Sequence, residues 1–252
     1  MRQRYLELDE RVDELKKAVA QLAGGVAAFQ NLYDISWIFH ENGLEGVVLT
    51  FPEIKSAVEN KIISDVSLLP SYQNIKHLKS CVDMVREKAL SKRFNITVGF
   101  LKELHGMLVQ SPEDAGVYRK DIPIHRTYFH EIAQPAKIHA SLLKVLDFMK
   151  AKPDHDMHAI ELAANVHHRF MHVFPFSDYS GMIGRLVANF LLIREGYLPV
   201  IIHASDRQRY YEALRGPERD FRHFVTEAME NSLENARKFC QLPELNTKRV
   251  AN

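Results

Sequence analysis

Cysteine, glycine, proline and net charge are all scarce in this sequence, and each scarcity removes a class of protein. Two cysteines, Cys81 and Cys240, in 252 residues cannot build a disulfide framework, and neither sits in a C-x-x-C or metal-type spacing. Eleven glycines and ten prolines are too few for a disordered or collagen-like chain. Thirty-three Lys+Arg against 32 Asp+Glu leave a formal charge of +1, which argues against a protein living on bulk phosphate attraction, such as a general DNA binder. Long apolar runs are missing too. The longest, from Leu186 to Ile193, is broken by Asn189 and falls far short of the roughly 20 residues of a membrane span. The N-terminus carries acidic residues where a signal peptide needs an apolar stretch. A cytoplasmic protein is expected, with export by a specialised secretion system left open.

What is present is helical period. Leu8, Val12, Leu15, Val19 and Leu22 make a narrow seam over residues 5–23, as in a docking or dimerising helix, with packing within the chain as the plainer reading of the seam. Gly24-Gly25 is expected to end that helix. A second helix is predicted over about 26–42, with Phe29, Tyr33, Trp37 and His40 on one side. Thr50, Pro52 and Glu53 read as a helix entry opening a short helix over 51–61. After a loop from Ser64 to Pro70, helices are predicted at about 71–91 and 96–110. Ser111 to Gly116 is a break, and Val117 to Ile132 alternates weakly, as a short hairpin or flap would. Helices follow at about 135–151, 156–173, 180–195, 206–214 and 218–239, with Tyr197 to Ile202 extended.

The informative stretch runs from Arg169 through Phe174-Pro-Phe-Ser-Asp178-Tyr-Ser-Gly181-Met182-Ile-Gly-Arg185. It resembles the signature of Fic (Fido-fold) proteins, H-P-F-x-(D/E)-G-N-G-R-x-x-R. In register, Phe174 takes the histidine's place; Pro175, Phe176, Asp178, Gly181 and Arg185 match; Tyr179, Ser180 and Met182 replace glycine, asparagine and the first arginine. Around it, the segment Arg194 to Ile202 is similar to the family's post-motif stretch. Asp206 to Leu214, with Tyr210 and Tyr211, looks like another family element. Gly116 to His125 resembles the start of its target-binding flap. Upstream, Glu41 to Gly46 is similar to the inhibitory-helix motif (S/T)-x-x-x-E-(G/N), with Glu45 and Gly46 matching and Glu41 departing from Ser/Thr.

The resemblance implies a mainly α-helical Fic/Fido fold with a short β-hairpin flap. It divides the chain into an N-terminal helical appendage (1–24), an inhibitory-helix-like segment (25–65), a core (66–240) and a loose tail (241–252). It also implies descent from protein adenylyltransferases, which move AMP from ATP onto protein hydroxyls. That chemistry needs a base for the hydroxyl proton, a carboxylate for Mg²⁺, and amides and guanidinium at a helix N-terminus for phosphate. Asp178 is the implied metal ligand; Asp178, Ser180, Gly181, Arg185, Tyr210 and Tyr211 are the implied nucleotide contacts; Glu45 and Gly46 are the implied regulatory pair.

Two parts are missing. Phe174 cannot accept a proton, a loss of about 10²–10⁴ in rate. Met182 cannot pair with phosphate, a loss on the order of 10²–10³. Tyr179 in place of glycine crowds the anion-binding turn. No catalytic set is intact, and the expectation is an inactive or strongly impaired pseudoenzyme acting by protein or nucleotide binding. The alternative is an active transferase with an atypical donor. ATP or another nucleotide with Mg²⁺ is the implied cofactor, with no cofactor as the other outcome. The expected partner is a protein target, with a homodimer open, no nucleic acid and no membrane.

Plainer readings stand beside these. Phe174 can be filler for a vacated pocket, Asp178 a helix N-cap, and Arg185 the partner of a carboxylate. With Met182 at the first arginine, Glu45 pairs with Arg185 or is vestigial. His168 and His172 at i, i+4 read as packing or solvent-facing, since H-E-x-x-H and a third ligand are absent. His172 should point away from Phe174, two residues on. Arg207, Arg209, Arg215, Arg219 and Arg222 are interleaved with acids and read as a salt-bridged face.

Overall fold

A computed structural model describes residues 1–61, 66–109, 111–123, 130–151 and 157–246. Its helices are α1 (Arg2–Ala20), α2 (Gly25–Leu44), α3 (Phe51–Val58), α4 (Leu69–Leu90), α5 (Val98–Leu108), α6 (Ile138–Ala151), α7 (Ala159–Val173), α8 (Ser180–Arg194), α9 (Arg207–Arg215), α10 (Glu218–Phe239) and α11 (Pro243–Asn246). The described residues contain no strand. The expected flap hairpin is therefore not seen, and residues 124–129 of it lie outside the described residues.

Helix α8 is the axis. Every residue from Ser180 to Ile193 is buried, as expected of a helix apolar on all faces. Helix α7 makes the largest contact with it, and α4 and α5 also lie against it. The α1 seam, Leu8, Val12, Leu15, Val19 and Leu22, is buried within this chain, mainly against α10 and α2. Arg4 fastens α1 to α10 through a bidentate pair with Glu230 at 2.6 and 2.7 Å.

Two boundaries differ from expectation. α1 stops at Ala20, before Gly24-Gly25, and Gly25 opens α2 instead. Pro70 lies in the first turn of α4, where its missing N–H costs nothing, so the expected loop is shorter. The Thr50/Glu53 entry is a complete capping box on α3.

Candidate functional site

The site forms where the α7–α8 turn meets the C-terminal end of α2. α7 ends at Phe174, which adopts a left-handed conformation (φ 46°) with its ring buried. Tyr179, also left-handed (φ 58°), begins α8. An L-residue bears roughly 1–2 kcal/mol of strain there, so the turn keeps a shape suited to glycine although tyrosine occupies it. Ser180 is buried and ties the turn internally. Its Oγ accepts from Phe176 N–H and donates to the Phe176 carbonyl, both at 2.8 Å. Asp178 is exposed, and the N-cap position belongs to Tyr179, so Asp178 does not cap α8. Met182 is buried.

Two buried side chains hold this turn from behind. The His105 ring stacks on Phe176, with centroids 4.0 Å apart, and its Nδ1 accepts Gly116 N–H at 2.9 Å. Burial lowers its pKa against the opposing pull of Asp178. Arg119 donates to the carbonyls of Phe174 (2.6 Å), Val173 (3.2 Å), Asp121 (3.0 Å) and Ala133. The backbone adds Arg119 N–H to Pro175 O and Ala133 N–H to His172 O. Both ends of the expected flap are thus fastened to the last turn of α7, whose carbonyls would otherwise lack donors.

Arg185 is the centre of the site, and it is closed. Its Nε donates to Glu41 Oε2 at 2.7 Å and its Nη2 to Glu45 Oε1 at 2.6 Å. Its Nη1 reaches the Tyr210 hydroxyl at 3.4 Å. An arginine only donates, so that hydroxyl turns its own proton to His167 Nε2, 2.9 Å away. Burial, with Arg185 and His168 adding to it, holds His167 well below the usual imidazole range. Trp37 Nε1 donates to the second oxygen of Glu41 at 3.1 Å. Burial opposes the Arg185 charge, but Glu41, Tyr210 and Glu45 outweigh it and hold the guanidinium well above its ordinary value. Burial pushes Glu41 up, while Arg185 and Trp37 pull it back. An arginine does not give up its proton in a protein, so the contact is an ion pair.

Both glutamates lie in the last turn and C-cap of α2, where the helix dipole disfavours them and no basic residue of α2 offsets it. Arg185 supplies the missing charge. Gly46 follows in the left-handed region (φ 85°) and closes a Schellman motif, with Val47 N–H to Asn42 O at 2.9 Å and Gly46 N–H to Gly43 O at 3.1 Å. The same end of α2 is held by Arg207, which donates to Leu44 O at 2.8 Å. His40 holds it too: its Nδ1 accepts Ala204 N–H at 3.2 Å and its ring stacks on His203 at 4.3 Å. Burial and His203 lower the His40 pKa to about 4.

A family model described as Fic/DOC family matches residues 95–192. Over that stretch the chain is similar to the Fic/DOC family. The chain is 28% identical over 239 residues to a protein adenylyltransferase Fic of Culex quinquefasciatus, covering 92% of this chain and 47% of that one. A protein of the same name from Nematostella vectensis is 27% identical, with coverages of 90% and 54%. The chain thus spans about half the length of these relatives. A Fic domain containing signaling protein from Bacteroides thetaiotaomicron superposes with TM-score 0.80 at 24% identity, covering 94% of this chain and 98% of that one. Fic-1 from C. elegans gives TM-score 0.77 at 21% identity, with coverages of 94% and 71%. These superpositions establish the Fic fold.

Within that fold, the residues singled out by sequence divide into two groups. Phe174, Pro175, Phe176, Ser180, Gly181, Met182 and Arg185 lie along one turn and the start of one helix, with Glu45 against them. Tyr210 and Tyr211 do not line an open face: both rings are buried, and Tyr210 serves Arg185 and His167 from within the core. With Glu45 in place, the first turn of α8 offers no open face to a phosphate. A Cβ on Gly181 would lie 2.9 Å from Glu45 Oε1 and 3.1 Å from Arg185 Nη1, so the first turn of α8 is already covered by a carboxylate. His168 Nε2 is committed to Gly216 O and His172 Nδ1 to His168 O, and no metal-binding group of three ligands occurs among the described residues. Arg209 and Arg222 pair with Glu227 and Glu161, and Arg219 with Asp220. No helix among the described residues is long and apolar enough to cross a membrane.

Sequence reasoning assigned no role to Glu41, Arg119 or His105. For Glu41 a signal existed. It precedes Glu45 by four residues on a helix, so both carboxylates share one face.

Proposed function

We propose that this Fic-domain chain has lost AMP transfer and acts by binding another protein, as a scaffold or as an antagonist of a catalytic relative. The observation that carries the reading is Phe174, an inert buried ring at the turn position where the resembled motif has its proton acceptor. The closed state of Arg185 supports it, because the remaining phosphate-binding cation is neutralised by two carboxylates. The anchored flap base supports the binding half: a chain without catalysis still holds the ends of its flap in place through Arg119.

The test is incubation of the purified chain, alone and with candidate proteins, with labelled ATP and Mg²⁺. No label on itself or on added protein is expected, and the double change Phe174→His with Met182→Arg should not restore transfer while Arg185 stays paired. Robust labelling that disappears in Asp178→Ala would overturn the reading. One observation favours the other reading, an active transferase with an atypical donor: Asp178 still faces solvent beside the α8 N-terminus. A mass-spectrometric screen across nucleotide donors that finds an adduct would establish it.

A further inference from the structure

The closure of Arg185 has two halves that differ in kind. Glu45 sits at the C-cap, with a side chain 21% exposed, immediately before the turn at Gly46. Glu41 lies one turn deeper in α2 at 4% exposure, and its second oxygen is held by Trp37. Opening the C-cap and the Gly46 turn beyond it would release Glu45 without unwinding the helix. Releasing Glu41 means moving the body of the helix, which His40 and the close approach of Gly43 to Ala204 hold in place.

We propose that Glu41 is the permanent half of a two-carboxylate lock, keeping Arg185 closed to nucleotide phosphates whether or not Glu45 is in place. This rests on the reading above that the site no longer serves AMP transfer. Charge counting carries it. One guanidinium against two carboxylates leaves the cluster one negative charge in excess. Removing Glu45 brings the cluster only to neutrality. An arriving triphosphate then meets a buried guanidinium whose Nε is still paired and whose field is cancelled. Only loss of both glutamates exposes a net positive charge at the N-terminus of α8, where helix amides would also favour an anion. The serine or threonine that the resembled motif carries at position 41 would leave no such second charge, so the lock belongs to this chain's own departure from the pattern.

The experiment compares the unaltered chain, Glu45→Gly, Glu41→Ser and the double variant by calorimetric titration with Mg²⁺·ATP and, separately, inorganic triphosphate. The unaltered chain and Glu45→Gly should both bind more weakly than about 1 mM. The double variant should bind at least about tenfold more tightly than Glu45→Gly, a step of about 1.4 kcal/mol. Equal affinity of Glu45→Gly and the double variant, or no binding by a folded double variant, overturns the lock. Should the double variant fail to fold, the thermal midpoints of Glu41→Gln and Glu45→Gln decide. Glu41→Gln should lower the midpoint by at least about 5 °C more than Glu45→Gln, and a smaller or reversed difference overturns the proposal. Nucleotide binding by Glu45→Gly alone would sink the lock and leave the loss of transfer standing, whereas AMP transfer by the unaltered chain would sink both.

Discussion

Arg119 and Arg185 are buried to the same degree, each 3% exposed, yet they are satisfied in opposite ways. Arg185 faces two carboxylates from a different helix, 140 or more positions away in the chain. Among the described residues, Arg119 faces only backbone carbonyls, those of the α7 terminus and of the two flap ends. A guanidinium on carbonyls gains hydrogen bonds without a compensating charge, so burial alone lowers its pKa. Such a group holds backbone in place and has little capacity left for a ligand. A guanidinium on carboxylates can exchange them for another anion if the carboxylates leave. The first is a scaffold; the second is a binding group under guard.

Removing each arginine separates the two roles. Arg185→Met should cost the most, about 3–5 kcal/mol at pH 7, because among the described residues it leaves the buried Glu41 carboxyl with Trp37 as its hydrogen-bond partner. That penalty should shrink at lower pH. Burial already raises Glu41 with Arg185 in place, and loss of Arg185 removes the main pull against it, so the variant's native state takes up a proton more readily and its penalty shrinks as pH falls from 7 towards 5. Arg119→Met should cost less, about 2–3 kcal/mol, from charge-assisted bonds lost at buried carbonyls. Its penalty should be the same at pH 5 and pH 7, since no acid is uncovered. Urea unfolding of both variants at the two pH values measures this. A pH-independent penalty for Arg185→Met would mean that Glu41 finds another cation, and the distinction between the two arginines would fail.

The local parts of this arrangement were readable from sequence, and the long-range parts were not. Thr50 and Glu53 declared the start of α3 because a capping box is contained within four residues. The α7–turn–α8 unit was legible because the motif register and the apolar period of α8 agree. The end of α1 was misplaced because Gly25 serves the start of the next helix rather than the close of the previous one. The expected hairpin, drawn from weak alternation and from the family resemblance, is not seen among the described residues, where the flap ends are fastened by Arg119 and not by a strand ladder. Tyr210 looked like a ligand contact because its neighbourhood resembles a family element. Its burial comes from α10, where Phe221 and Phe224 pack beside its ring. Glu41 was visible as a departure from a motif, but its meaning depends on Arg185, and no local period links positions 144 apart.

The smallest expected effect concerns how α2, the helix carrying both glutamates, is seated. Its last turns rest on His40, whose ring stacks on His203 and whose Nδ1 must be unprotonated to accept Ala204 N–H. The groups facing His40 are His203, which opposes its charge, and Asp206, which favours it; Asn235 lies 3.1 Å from His203. The folded pKa of about 4 lies below the ordinary 6.5, so the unfolded chain binds the proton first. Stability from this group is complete above pH 6.5 and is lost as pH falls towards 4. The loss is about 2 kcal/mol after allowing for the partial solvent contact of His40. His40→Gln can still accept the Ala204 amide but cannot titrate. It should therefore flatten the fall in unfolding free energy between pH 6.5 and 4 by that amount, leaving the contributions of His105, His167 and His168, whose burial also lowers them. An unchanged slope would mean that protonated His40 keeps its place against His203, and that the seat of α2, with the two carboxylates it presents to Arg185, does not depend on this imidazole.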